Sequence, residues 1–255
     1  MTSKEKAVKF VKERFRIIFP LKQEEILDLV ASHYVEYIIK KMKITESDKE
    51  KILLENFQKQ QSIIGMSPEV ILPLFGILTY EVGSLWETDG KYKKAKEVYD
   101  CIRLVIAMRK VGMNFLIISD ENPDLMLAMD KNTGGKLDIN DRIAIEHMNI
   151  PKLVTDKWVL DPELKLSEMI KKKFLKRYGR YQSLLVHLSY QGKIDFRRVS
   201  RMISSAENPY MFVWLTFFSS EDNKEFTCIM LHPPYSRVEV TMEDKKKYLI
   251  NPRDV

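Results

Sequence analysis

Glycine, proline and cysteine are all scarce in this chain. Nine glycines and ten prolines among 255 residues leave no long flexible linker and no proline-rich segment. The two cysteines, Cys101 and Cys228, are far apart, one in a helical pattern and one in a strand-like pattern. A disulfide framework is therefore excluded, and two buried thiols in a reducing compartment are expected. No window reaches the ~20 apolar residues that a membrane span requires, so no membrane partner is expected. The opening Met1-Thr2-Ser3-Lys4-Glu5-Lys6 lacks the apolar centre of a signal peptide. The expected location is the cytoplasm, or the nucleus of a eukaryotic host. The sequence also has no phosphate loop, no dinucleotide glycine fingerprint and no nucleophile elbow. Its four histidines, His33, His147, His187 and His232, show no zinc-ligand spacing.

What is present is the balance of a globular protein. The chain is 45% hydrophobic and 31% charged, enough to build one large or two modest cores. Its net charge of +6 tilts it modestly toward polyanionic partners. The 13 methionines follow the apolar periodicity and read as core filler.

The first 110 residues carry a helical period. Thr2 and Glu5 form a capping box ahead of Ala7, Val8, Phe10, Val11 and Phe15. A second helix is predicted from about Lys22 to Lys43. A third opens at the capping box Ser47–Glu50 and ends near Gly65. Ser67-Pro68 supplies an N-cap and a first-turn proline for the fourth, and a fifth runs from about Tyr92 to Lys110. Residues 1–110 are thus expected to form an all-helical domain, with strands beginning only after Gly112. Val82-Gly83-x-x-Trp86, Gly90-x-Tyr92-x-x-Ala95 and Tyr99-x-x-Ile102 together resemble one tetratricopeptide repeat. That resemblance implies a helical adaptor and a protein partner; the alternative reading of the same residues is an ordinary antiparallel helix pair.

Beyond Gly112 the texture changes. Phe115–Ile118, Leu125–Met129, Arg142–Ile150, Leu184–Leu188, Met211–Phe218 and Thr227–Leu231 read as strands. Helices are expected at Leu166–Tyr178 and Phe196–Ser204. Strands alternating with helices predict an α/β layer with a mixed sheet over 111–255.

From residue 91 the order is helix, three strands, helix, strand, helix, strand. Pro123-Asp124 opens the second strand of this series, and Glu146 lies midway along the third. This arrangement resembles the restriction-endonuclease-like superfamily, built around a Pro-Asp … Asp/Glu-x-Lys motif. The resemblance implies that Asp124 and Glu146 are catalytic and hold Mg²⁺, with Glu97 on the preceding helix as a further acid. A hard divalent cation polarises a phosphoryl oxygen and activates water for attack on a phosphodiester. The lysine two residues after the second acid is replaced here by Met148. Strand alternation turns His147 to the opposite face, so Lys152, Lys131 or a lysine from the following helix would have to substitute.

Two further patterns stand out. Asp130-Lys-Asn132-Thr-Gly134-Gly135-Lys136-Leu137-Asp138-Ile-Asn140-Asp141 resembles a calcium-binding EF-hand loop, which implies Ca²⁺ at residues 130–141 as an alternative to a polar hairpin turn. In it Gly134 stands where an oxygen ligand belongs, and Asp141 where the longer glutamate does. Lys172, Lys173, Lys176, Arg177 and Arg180 cluster late in the chain, at a spacing that suits phosphate tracking along one helix face. A nucleic-acid-processing protein follows from these features, either a Mg²⁺-dependent nuclease or an inactive nuclease-like binder. The alternative is a non-enzymatic interaction protein.

Overall fold

The computed structural model describes residues 2–20, 24–41, 65–83, 85–113, 115–118, 125–129, 142–150, 160–176, 183–189, 192–219, 225–233 and 235–241. The first helix, α1 (Ser3–Ile18), begins as its sequence dictates. The Glu5 amide donates to Thr2 Oγ1 at 3.2 Å, and the Thr2 amide donates to Glu5 Oε2 at 2.8 Å. Helix α2 (Glu24–Lys41) runs back along it. Lys4 pairs with Glu36, Lys12 with Asp28 and Arg16 with Glu24, and partner numbers that fall as the others rise define an antiparallel hairpin.

Helix α3 (Pro68–Val82) starts after Ser67 with proline in its first turn, where the missing N–H has no helical acceptor to lose. Gly83, at φ +60°, ends it in a conformation that favours glycine. A one-turn helix, α4 (Leu85–Thr88), and a 3₁₀ turn (Gly90–Tyr92) lead into α5 (Lys93–Lys110). In the segment that resembles a tetratricopeptide repeat, Trp86 and Tyr99 meet edge to face at 5.3 Å, and both rings contact Phe75 of α3. Trp86 Nε1 donates to Thr79 Oγ1 at 3.1 Å.

Among the described residues, eight strands form one sheet in chain order: β1 (Gly65–Met66), β2 (Phe115–Ile118), β3 (Leu125–Met129), β4 (Arg142–Ile150), β5 (Ser183–Leu188), β6 (Phe212–Phe218), β7 (Phe226–His232) and β8 (Ser236–Val240). β4, β5 and β6 are parallel and every other pairing is antiparallel. The two parallel crossovers contain α6 (Pro162–Phe174) and α7 (Phe196–Ser204). Both helices pack on the same face of the sheet, as crossovers of one hand require.

One expectation fails here. Gly65 pairs with Ile118 and Met66 with Ile117, so a strand lies within the first hundred residues and residues 1–110 are not purely helical. A two-residue strand carries no period to detect. Its anchor is Met66, which is 1% exposed and joins the same core as Ile117.

The sheet separates two cores. On one face, Val11 and Phe15 of α1, Leu27 of α2, Leu74 of α3 and Val98 of α5 pack with Ile117, Ile145 and Leu185. This core takes residues from both sides of the expected boundary at 110/111. On the other face, Leu166 and Ile170 of α6 and Val199 and Ile203 of α7 cover Leu184, Val186 and Val213. Strand alternation divides β4 between them, with Ile145 toward α5 and Ala144 and Ile150 toward α6 and α7.

Candidate functional site

Glu146 shares the face of Ala144 and Ile150 and is 5% exposed. A carboxylate taken out of water needs partners, and it has two. Lys173 Nζ, from α6, donates to Oε1 at 2.6 Å, and the Tyr210 hydroxyl donates to Oε2. Leu166, Ile170 and Phe174 bury the inner stripe of α6, and Lys173 sits at the edge of that stripe. Its side chain is 22% exposed. Tyr210 is itself buried and its ring rests against Phe174 at 5.9 Å. Met148, two residues along β4, is half-buried against the same core. The ammonium beside Glu146 therefore comes from the following helix.

Glu97, the other described acid expected near Glu146, does not join it. Glu97 lies on α5, which packs against the opposite face of the sheet. It is 4% exposed and faces Lys93 and Lys94 at 3.6 and 3.7 Å. Asp124 lies outside the described residues. Leu125, which follows it in sequence, pairs with Ile145 beside Glu146. An ammonium and a phenol are not ligands for a hard cation, so the described surroundings of Glu146 do not fit Mg²⁺. No group of three His, Cys, Asp or Glu side chains suited to a metal occurs among the described residues.

The segment 130–141 also lies outside the described residues, but its flanks do not. β3 ends at Met129 and β4 begins at Arg142, and Ala128 pairs with Arg142. An EF-hand needs a helix on each side of its loop. Both flanks are strands, so the helix pair of an EF-hand does not frame this segment.

The lysine cluster on α6 is split. Lys172 and Lys176 are exposed, whereas Lys173 turns inward to Glu146. Lys172 lies in the last turn of α6 and Lys176 two residues past its end; Lys173, one residue on from Lys172, falls toward the sheet. Arg177 and Arg180 lie outside the described residues. On α7, Arg198 is held by Asp161 at 2.9 Å and Glu163 at 3.3 Å. Arg201 is exposed, and Arg197 lies over the Tyr235 ring at 5.6 Å.

A second polar cluster, not anticipated from the sequence, lies between α5 and the sheet. His147 turns away from Glu146 as alternation requires, and its Nε2 lies 2.6 Å from Asp100 Oδ2. Arg103 binds the other oxygen of Asp100 and approaches His187 Nδ1 at 3.2 Å. The guanidinium also covers the rings of Phe218 at 4.4 Å and Tyr99 at 5.1 Å. Arginine only donates, so His187 Nδ1 accepts and the ring is neutral. Burial, then the charge of Arg103, then His147, hold the His187 pKa well below its ordinary value, while a bond to the Thr216 backbone pulls it up. The sequence signal was present in Cys101–Met108. Asp100 and Arg103 sit on a helix buried on nearly every side, and charges at i, i+3 in such a helix must pair.

No family model matches the chain, and neither a search of characterised proteins nor one of solved structures finds a match. The structure defines a mixed α/β protein whose sheet is covered by helices, with no helix among the described residues long and apolar enough to cross a membrane.

Proposed function

We propose that this protein binds nucleic acid through the α6–α7 layer, as a nuclease-like binder in which the acid of β4 is held by a lysine instead of a metal. The carrying observation is the division of labour along α6. Lys173 neutralises Glu146 within the fold, and Lys172 and Lys176 project outward, where they are available to phosphates. The order α5, β2, β3, β4, α6, β5 supports the resemblance to restriction-endonuclease-like proteins, and a lysine from the helix after β4 supplies the ammonium that Met148 cannot. Both oxygens of Glu146 accept hydrogen bonds, which favours binding over metal-assisted hydrolysis.

The deciding experiment is fluorescence anisotropy with labelled single- and double-stranded DNA and RNA across a salt series, run beside a cleavage assay containing Mg²⁺ or Mn²⁺. Salt-dependent binding without cleavage is the expected result. Cleavage lost on Asp124→Asn would establish the nuclease instead. Absence of binding to all four nucleic acids would leave the non-enzymatic interaction protein.

A further inference from the structure

On the α5 face of the sheet, opposite Glu146, side chains do not fill the space beneath the C-terminal end of α5. A cavity of about 420 Å³ remains there, within the range of roughly 300–1,000 Å³ found for small-molecule sites. Met108, Phe115, Leu127, Ile143, Trp214 and Cys228 are among its walls. These residues come from five strands and one helix, so the cavity is built by the tertiary fold. Val111 and Met113, 53% and 41% exposed, stand among the lining residues just past the end of α5.

Among the described lining residues, Ser183, Ser236 and Arg237 carry polar side chains and Trp214 an indole N–H. Arg237 is already paired with Glu239 at 2.7 Å, so no uncompensated charge awaits an ionic ligand. Ser183, the first residue of β5, is 1% exposed. Its hydroxyl has no hydrogen-bond partner among the described residues. Buried hydroxyls are nearly always paired, and an unpaired one is costly. Ser183 is itself one of the residues that line the cavity.

We propose that this cavity binds a small, neutral, mainly apolar molecule carrying one hydroxyl or carbonyl group, which pairs with Ser183. The apolar body lies against Trp214, Leu127 and Met108, where burial of hydrocarbon drives binding. The methionines add side chains that adapt to irregular shapes. The site lies across the sheet from the nucleic-acid reading and does not depend on it.

The test titrates the full chain with 8-bromo-1-octanol, whose bromine quenches a tryptophan in contact with it. Trp214 lines the cavity, whereas Trp86 lies in the aromatic cluster with Phe75 and Tyr99. Saturable quenching is expected in the wild type, with its loss in Trp214→Phe. Ser183→Ala should weaken binding about fivefold, the worth of one hydrogen bond, while raising the thermal midpoint of the free protein. Ala107→Leu, which fills the cavity, should abolish binding with the circular dichroism unchanged. If that variant does not fold, Ser183→Ala alone carries the decision. Quenching that never saturates, survives in Trp214→Phe or is unaltered in Ser183→Ala would overturn the proposal. Octanoate competing as strongly as octanol would overturn the assignment of a neutral ligand.

Discussion

Lys173 crosses from α6 to place its ammonium 2.6 Å from Oε1 of Glu146, the residue that the sequence marks as the acid of β4. With Glu146 5% exposed, removing its cation leaves a buried carboxylate held, among the described residues, by Tyr210. Such losses in buried pairs cost about 3–5 kcal/mol, and the partial exposure of Lys173 lowers the expectation to about 2–4 kcal/mol. Urea denaturation of Lys173→Met should show that loss. Glu146→Leu combined with Lys173→Met should recover most of it, because no charge is then stranded. A double variant no more stable than Lys173→Met would refute the pairing as the cause.

The exposed lysines predict a different phenotype. Lys172→Glu with Lys176→Glu should leave urea stability within about 0.5 kcal/mol of wild type, since surface changes are small. Nucleic-acid affinity should fall, and the slope of log K against log salt should become shallower by roughly 1.8 if each lysine meets one duplex phosphate. Lys173→Met should leave that slope alone. Equal slopes in wild type and double variant would remove α6 from the binding surface.

Phe75 tests the core of the helical half. Its ring meets Phe19 at 4.9 Å, Tyr99 at 4.8 Å and Trp86 at 5.3 Å, so it joins α1, α3, α4 and α5 in one aromatic cluster. Phe75→Ala should cost about 3–5 kcal/mol. The α5-side core runs from α1 to the sheet without a break. Near- and far-ultraviolet circular dichroism should therefore report one coincident transition. Separate transitions would show that the helices unfold independently of the sheet.

These residues also show what the sequence made legible. Periodicity and apolar runs located α1, α5, β4, β5, β6 and α7: α1 shows one apolar face, whereas α5 and β5 are buried nearly all round. The capping box at Thr2 and Glu5 gave an end as well as an element. β1 was invisible, since two residues have no period and their pairing with Ile117 and Ile118 is set more than fifty positions away. β8, Ser236–Val240, was missed because four of its five residues are exposed or half-buried. Glu146 was legible from its place in a strand. Its partners were not, because Lys173 reads as surface charge and Tyr210 as loop until the crossover brings them together. The expected triad of Glu97, Asp124 and Glu146 fails at Glu97, since a linear pattern does not say which face of a sheet a helix covers.

The buried network beneath α5 gives the last prediction, a pH dependence of stability. His187 is neutral in the fold, its pKa held well below 6.5 by burial first and by Arg103 second. In the unfolded chain it titrates near the ordinary value of about 6.5. Below that pH the unfolded chain takes up a proton that the folded protein refuses, so stability declines as pH falls. The contribution is complete above about pH 6.5 and is lost progressively down toward the depressed folded value. For one such group, lowering the pH from about 7.5 to about 5.5 should cost about 1.4 kcal/mol. Few carboxylates titrate in that window. His187→Gln keeps an acceptor for Arg103 and has no proton to take up, so its stability should change less over the same interval by that amount. Urea midpoints of the two proteins at both pH values measure the difference directly. A wild type and a variant with parallel pH profiles would mean that His187 protonates inside the fold, and the donation from Arg103 to its Nδ1 would then be wrong.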